Sequence, residues 1–302
     1  MGGRLLHADL GHSRLDDSGG GRDRLHLVHP KAQGGRPRPR GRIQVVHPLP
    51  SNPLLGRLLM PGLGLGMKVR AFAVDVDGTI TTEDGTVDLE AASVLRNLEK
   101  MGYRVVLVSG RSGWELYALS MYLGLCGVVV GENGGVTVFK SPLNIRLWSD
   151  NTEPLLAYEH LTRQVSGLTL RDAFPRFTEV VLERTVDVNL LRSKLREGGF
   201  RVKVLDSGYA LHISSEGVDK GTGVLKALSM LSVQPSEAVA IGDSETDVPM
   251  FLACGFSIAV GNADVPARSA ARHVTAAHMG AGVVEGVGYV LENLISEPPP
   301  SR

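Results

Sequence analysis

From residue 67 onward the chain alternates short apolar runs with stretches of helical period. Residues 69–75 are mostly apolar and close on an acid, with the length and side chains of a buried strand. Asp88 then stands where a helix N-cap belongs. Leu89, Ala92, Leu95 and Leu98 are predicted on one face of a helix running to Met101, with Gly102 as its stop. Residues 103–108 predict a second strand, 112–123 a helix and 127–130 a third strand. This βαβαβ order implies a parallel sheet with right-handed crossovers.

The middle of the chain has a different rhythm. Residues 136–140 and 145–148 predict a hairpin leading out of the core. Next come a helix over 153–165, a strand over 179–183 and a helix over 186–196 closed by Gly198-Gly199. A further hairpin pairs 201–205 with 210–214 over Asp206-Ser207-Gly208. The βα alternation then returns, with helices over 220–231, 247–254 and 284–294 and strands over 238–242 and 257–260. The expected fold class is α/β: a doubly wound, Rossmann-like parallel-sheet core over residues 67–149 and 217–297, interrupted by an α/β cap domain over 150–216. No internal repeat is visible, and the tail Pro298-Pro299-Pro300 is expected to be disordered.

Composition changes this picture at the front. The 302 residues carry 32 Lys/Arg and 32 Asp/Glu, so no global basic field argues for nucleic acid. The balance is uneven: residues 1–66 hold 10 Lys/Arg against 4 Asp/Glu, no Phe, Tyr or Trp, 13 glycines and 7 prolines. Such a segment buries too little apolar surface to offset its ordering entropy. It is expected to be a disordered or non-native leader, with Met67, just before the first strand, as the start of the folded chain. A targeting peptide and a basic nucleic-acid arm are the competing readings. No uninterrupted apolar stretch is long enough to span a membrane. The two cysteines, Cys126 and Cys254, have no CxxC spacing, so a reducing cytoplasm is the default.

In an open α/β sheet, ligands bind outside the carboxyl ends of the strands. Three strand ends carry the informative residues: Asp75-Val76-Asp77-Gly78-Thr79, Ser109-Gly110-Arg111, and Gly242-Asp243-Ser244-Glu245-Thr246-Asp247. Four aspartates converging on one edge repel one another and call for a cation. Oxygen ligands without His or Cys point to magnesium, which keeps water and phosphate oxygens as its other ligands. Ser109, beside Gly110, and Lys220 can take the remaining phosphate oxygens. Asp75 and Asp77, two residues apart, offer a nucleophile and an acid/base on one loop.

Each feature also has a plainer reading. Asp-x-Asp-Gly-Thr and Ser-Gly are ordinary turns, and Gly-Asp-x-x-x-Asp can be an N-cap with first-turn acids. Lys220 alone is a solvated first-turn lysine. Arg111 either ion-pairs within its loop or touches substrate. Trp114, Tyr117 and Tyr122 suit packing, and His212 suits a structural role.

Taken together and in order, Asp75-Val76-Asp77-Gly78-Thr79-Ile80, Val108-Ser109-Gly110-Arg111, Lys220 and Gly242-Asp243-Ser244-Glu245-Thr246-Asp247 resemble the four motifs of the haloacid-dehalogenase-like phosphatases. The insertion between the second and third motifs, and the loop Glu132-Asn133-Gly134-Gly135, resemble the sugar-phosphatase-like branch with an α/β cap. Within it the short cap looks most like that of the archaeal phosphoglycolate phosphatases. The resemblance covers all but residues 1–66. It implies that Asp75 attacks phosphorus and Asp77 serves as general acid and base. Mg2+ would be held by the Asp75 side chain, the Asp77 backbone carbonyl, Asp243 and, directly or through water, Asp247. Ser109, Gly110 and Lys220 would bind the phosphoryl group. Many relatives carry Asn where this chain has Thr246, which weakens a role for that position alone.

The expected activity is therefore magnesium-dependent hydrolysis of a small phosphate monoester through an aspartyl phosphate, with 2-phosphoglycolate the leading substrate. A sugar-phosphate or sucrose-phosphate phosphatase, a phosphomutase, and a non-catalytic phosphate-binding module are the alternatives. A glycolate carboxylate would want a cation from the cap. Arg163, Arg171, Arg176 and Arg184 are available, and Arg184 is the first choice because it ends a predicted strand. The partner implied is a small metabolite, not nucleic acid or membrane, for a monomer or homodimer.

Overall fold

The computed structural model describes residues 66–140 and 143–299. The leader expected over residues 1–66 lies outside the described residues apart from Gly66, as does Pro300 of the expected tail. The first half of the core runs β1 (Ala71–Asp75), α1 (Leu89–Lys100), β2 (Arg104–Val108), α2 (Gly113–Leu123) and β3 (Val128–Gly131). Local chemistry sets these boundaries. The Asp88 carboxylate accepts from Glu90 N and Ala91 N at 2.9 Å to start α1. Ser112 and Glu115 form a reciprocal capping box for α2, which Gly124 ends in the left-handed region at φ 74°.

β4 (Val136–Phe139) and β5 (Asn144–Leu147) form the expected hairpin, but it does not lead out of the core. Both strands join the main sheet antiparallel, β4 against β3 and β5 against β4. Val136 and Val138 are fully buried, so apolar burial holds the hairpin in register with the sheet.

The second half of the core is α5 (Lys220–Met230), β9 (Ala238–Gly242), α6 (Val248–Ala253), β10 (Phe256–Ala259), α7 (Val265–Ala270), β11 (His273–Val274) and α8 (Met279–Asn293). The eight-stranded sheet has the order β11-β10-β9-β1-β2-β3-β4-β5. Strand order therefore reverses at β1, which pairs in parallel with β2 on one side and β9 on the other. Residues of α1, α2 and α8 cover one face, packing on Phe72, Val74, Leu107 and Ile241. Residues of α5, α6 and α7 cover the other, on Ala71, Ala73, Val106 and Ala240. The strands are apolar on both faces because both faces are covered.

Three sequence expectations shift. α8 begins at Met279, five residues before the predicted start, and α7 and β11 were not foreseen. Gly280, Gly282 and Gly286 weaken the helical signal of α8. They sit against the core, where a Cβ on Gly282 would lie 2.5 Å from Ala277 O. The buried face of α1 runs through Ala91, Leu95 and Leu98, whereas Leu89 is 83% exposed. Leu89 is the first residue of the helix, six positions before Leu95, which rotates it off the core side.

Between the two halves lie α3 (Thr152–Thr162), β6 (Glu179–Leu182), α4 (Val188–Glu197), β7 (Val202–Asp206) and β8 (Leu211–Ser215). They form a separate antiparallel sheet of order β6-β8-β7. Its own core joins Ala157 and Leu161 of α3 and Leu191 and Leu195 of α4 to Leu182 and Ile213. Strand alternation turns the opposite side chains, among them Val181 and His212, toward the strand ends of the main sheet. No helix among the described residues is long and apolar enough to cross a membrane.

Leu95→Ala should cost about 2–5 kcal/mol by removing a fully buried side chain, and Leu89→Ala on the same helix should stay within about 0.5 kcal/mol. Urea unfolding of the two variants checks the assignment of the buried face.

Candidate active site

β1 ends at Asp75, and the chain turns at once through Asp77, Gly78 and Thr79. Gly78 has φ 77°, and a Cβ there would fall 2.4 Å from the Asp243 carboxylate, so only glycine lets the first loop lie against the loop after β9. The Asn262 amide clamps this turn by donating to Gly78 O at 2.8 Å while its Oδ1 accepts from Met279 N at 2.7 Å. Sequence reasoning missed Asn262. It follows β10 at the same sheet edge, but a lone Asn in a Gly-Asn-Ala turn carries no distinctive signal.

Asp75, Asp243 and Asp247 each offer a carboxylate oxygen within 4.8 Å of the others. Lys220, the first residue of α5, sits among them. Its Nζ donates to Asp75 Oδ1 at 2.7 Å and to Asp247 Oδ1 at 2.6 Å. The second Asp247 oxygen accepts from Asp243 N and Ser244 N, both at 3.0 Å. Thr79 Oγ1 lies 3.2 Å from Asp75 Oδ2 and 3.1 Å from Asp243 Oδ1. The position of Lys220 depends on the loop after β3. Gly134 has φ 104°, and a Cβ there would fall 1.9 Å from Asp219 O, next to the α5 start.

Burial, and then the neighbouring Asp247, push Asp75 well above the usual carboxylate range; Lys220 opposes the shift without cancelling it. The same two causes raise Asp243 to about 6. Desolvation pulls Lys220 down, but Asp247 and Asp75 outweigh it and hold the ammonium charged. Fully ionised, three carboxylates against one ammonium carry an excess of two negative charges in an all-oxygen donor set, which fits a divalent hard cation.

Asp77 is placed differently from the other three acids. Arg111 grips it bidentately, Nε to Oδ2 at 2.8 Å and Nη2 to Oδ1 at 2.6 Å. Its side chain is 41% exposed at the mouth of the site, and Ser109 Oγ lies 3.4 Å away. Arg111 therefore pairs within the strand-end loops, one of the two readings open from sequence.

Above these loops a cavity of about 540 Å³ is closed from the other side by the inserted sheet. Asp75, Asp77, Ser109, Gly110, Lys220 and Asp243 all line it. Asp247 lies directly behind, fully buried, so the structure brings together all the core residues singled out from sequence. Arg184 does not reach the cavity. It pairs with Asp206 at 2.9 Å and donates to Gly208 O, which hold it on the β7–β8 hairpin, whose Ser207 and Tyr209 line the cavity in its place. Arg163, which caps the C-terminus of α3, is also outside the lining. The cap-side cations that do line the cavity are Arg171 and Arg176 on the segment leading into β6.

Two carboxylates given no role from sequence, Glu132 and Glu179, organise the junction. Glu132 Oε2 accepts from Phe177 N at 3.0 Å and from Thr178 N and Thr178 Oγ1 at 2.8 Å, tying the inserted sheet to the loop after β3. Glu132 and Asn133 hold φ of 51° and 52°, a strained conformation for side-chain-bearing residues that these bonds offset. Glu179, fully buried, accepts from Asn133 Nδ2 at 3.2 Å and Arg176 Nη1 at 2.9 Å, and faces His212 Nδ1 at 3.1 Å. Burial alone would raise Glu179, but His212 and Arg176 outweigh it and its pKa is lowered.

A model of the haloacid dehalogenase-like hydrolases matches residues 72–154 and 191–287. The chain belongs to that family. The gap in the match falls within the inserted unit. The phosphoglycolate phosphatase of Methanococcoides burtonii is 42% identical over 229 residues, 75% of this chain and 99% of that protein. The phosphoglycolate phosphatase of Nitrosopumilus maritimus is 42% identical over 222 residues, 73% of this chain and 96% of that one. Among solved structures, Thermoplasma acidophilum 0175 aligns with a TM-score of 0.66 at 28% identity, covering 72% of this chain and 96% of that one. A haloacid dehalogenase-like hydrolase from Bacteroides thetaiotaomicron shares the fold at a TM-score of 0.61 and 22% identity, covering 74% and 100%. The family resemblance carried by the four motifs, and the doubly wound core, are as the sequence led one to expect.

The crowded acids have a measurable consequence without metal. Asp243 titrates near 6 in the folded protein and near 3.9 in an unfolded chain. Between these values the folded state binds more protons, so stability falls as pH rises through 6 and returns on acidification toward 5. Melts in chelator should show that slope. Asp243→Asn should weaken it and raise the midpoint at pH 8 by on the order of 2 kcal/mol, or about 4–8 °C. A flat profile in the unsubstituted protein is the opposite outcome.

Proposed function

We propose that the protein is a magnesium-dependent phosphate monoester hydrolase that converts 2-phosphoglycolate and water to glycolate and phosphate. The observation that carries this reading is the buried Asp75 carboxylate at the end of the central strand, held by Lys220 beside Asp243 and Asp247 and facing the cavity. The relatives matched over nearly their whole length are phosphoglycolate phosphatases, and they support the choice of substrate.

In the first step an Asp75 oxygen attacks phosphorus and the bond from phosphorus to the ester oxygen breaks. Asp77 gives its proton to the departing alkoxide, which leaves as glycolate. In the second step Asp77 takes a proton from water, the hydroxide attacks phosphorus, and the bond to Asp75 breaks to release phosphate and restore the carboxylate. For the acid role Asp77 must turn from Arg111 toward the ester oxygen, so Arg111 serves as its resting partner. Ser109 Oγ and the backbone at Gly110 line the cavity where phosphoryl oxygens would sit, and Lys220 adds positive charge behind them. Mg2+ would be held by Asp75, Asp243 and Asp247. Bound there, it supplies positive charge against the non-bridging oxygens of the transferring group.

The inserted unit acts in this reading as a cap that limits water during the first step. A second reading, a sugar-phosphate phosphatase, draws on the size of the cavity and on two half-exposed rings in its lining, Phe174 and Tyr209. With Cys126 and Cys254 both free thiols, a reducing compartment such as the cytoplasm suits the protein.

A panel of phosphate monoesters, assayed with Mg2+ and with chelator, tests the assignment. Phosphoglycolate should give the highest kcat/KM, and chelation should abolish turnover until Mg2+ is restored. Preference for hexose phosphates would establish the second reading instead. Asp75→Asn should lower kcat by ~10³-fold or more with the fold intact by circular dichroism. Retention of a few per cent of activity in a clean preparation would remove Asp75 from the nucleophile's role.

A further inference from the structure

We infer that Arg176 is the residue that reads an anionic group on the leaving group, and so sets substrate choice; this rests on the phosphatase reading above. Five side chains with cationic or ionisable nitrogen line the cavity: Arg111, Arg171, Arg176, His212 and Lys220. Four are spent on the protein. Arg111 is held bidentately by Asp77, and Lys220 by Asp75 and Asp247. Arg171 pairs with Glu183 at 2.6 Å and stacks 3.8 Å from the centre of the Tyr209 ring. His212 has Nδ1 against Glu179 and Nε2 against Ser207 Oγ at 3.2 Å, so both ring nitrogens are engaged.

Arg176 is different. Only its Nη1 is committed, donating to Gly110 O and to Glu179 Oε1. Its Nε is buried with no hydrogen-bond partner. A buried, unpaired guanidinium N–H is costly to leave unmet. The fork is thus fixed at one end with a donor unused, an arrangement suited to a planar carboxylate. Its anchor also fixes its reach. Gly110 follows Ser109, where the phosphoryl group is proposed to sit. In phosphoglycolate the carboxylate is separated from the ester oxygen by a single methylene. A cation that recognises so short a tail has to stand beside the phosphate loop, and Arg176 is bonded to that loop's backbone. Arg184, turned to Asp206, is not.

The test uses two matched pairs of compounds. Phosphoglycolate and ethyl phosphate differ as substrates by the carboxylate. 3-Phosphonopropionate and propylphosphonate differ in the same way but cannot be hydrolysed. The unsubstituted protein should favour the carboxylate member of each pair. Arg176→Gln should lower kcat/KM for phosphoglycolate by about 10–100-fold, mainly through KM. It should lower kcat/KM for ethyl phosphate about tenfold less than for phosphoglycolate, since loss of the Gly110 and Glu179 bonds acts on both alike, and erase the binding preference between the phosphonates. Arg176→Lys keeps the charge without the fork and should lose about tenfold in discrimination, which serves if the Gln variant does not fold. Arg184→Gln should keep the full preference. Parallel loss on both substrates, or a preference that survives Arg176→Gln, overturns the inference and leaves the phosphatase reading standing. Equal turnover of phosphoglycolate and ethyl phosphate by the unsubstituted protein overturns both the inference and the choice of substrate. If neither ester is turned over, the choice of phosphoglycolate as substrate fails and the hexose phosphates of the panel decide the hydrolase reading. The phosphonate pair then decides alone: a carboxylate preference lost in Arg176→Gln supports the inference, and equal binding overturns it.

Discussion

The site depends on one ammonium group placed between two buried carboxylates. Lys220 Nζ, fixed at the start of α5, meets Asp75 from the central strand and Asp247 from the loop after β9. Without it, three acids would be desolvated together, and burial would drive protons onto them. With it that shift is opposed though not cancelled, and the ionised cluster carries an excess negative charge that a divalent metal can answer. The backbone is shaped to permit this. Gly78 gives room to Asp243, and Gly134 gives room to the residue before Lys220, each at a position with no space for a Cβ.

How much of this was legible from sequence follows from which constraints are local. Asp75, Asp77, Ser109, Asp243 and Asp247 follow apolar strands, and parallel topology carries all such strand ends to one edge. The convergence could be read from order alone. Lys220 was legible through its place in the motif series. The inserted unit was legible as a change of rhythm, but not its orientation. Arg184 and Arg176 both flank β6, and only their tertiary partners decide which lines the crevice: Asp206 and Gly208 hold Arg184, Gly110 and Glu179 hold Arg176. The start of α8 was hidden because its glycines, poor helix formers, are there for close packing. The antiparallel hairpin of β4 and β5 looked like an exit because alternation reports a covered face without saying which sheet covers it.

The junction between the two sheets is built from charges the motifs do not include. Glu132 binds the backbone and side chain leading into β6, and Glu179 gathers Asn133, Arg176 and His212. These buried bonds lie on the side of the cavity bordered by the loop after β3. They fix one margin of the inserted unit to the core, so any opening has to turn about that margin. The phosphate loop takes part directly, since Arg176 donates to Gly110 O.

The placement of β1 has a consequence for the nascent chain. One edge of β1 is paired by β2, made about thirty residues later, but its other edge waits for β9 at residues 238–242. Between them the ribosome must produce the whole inserted unit, whose β6, β7 and β8 form a sheet of their own. That unit can complete its hydrogen bonding while the fully buried central strand β1 still has an open side. Long-range parallel pairing of this kind is slow and leaves a sticky edge in the interim. The middle of the chain can therefore complete its pairing before β1 does, and the interval before β9 emerges is when the chain most needs protection from association with other chains.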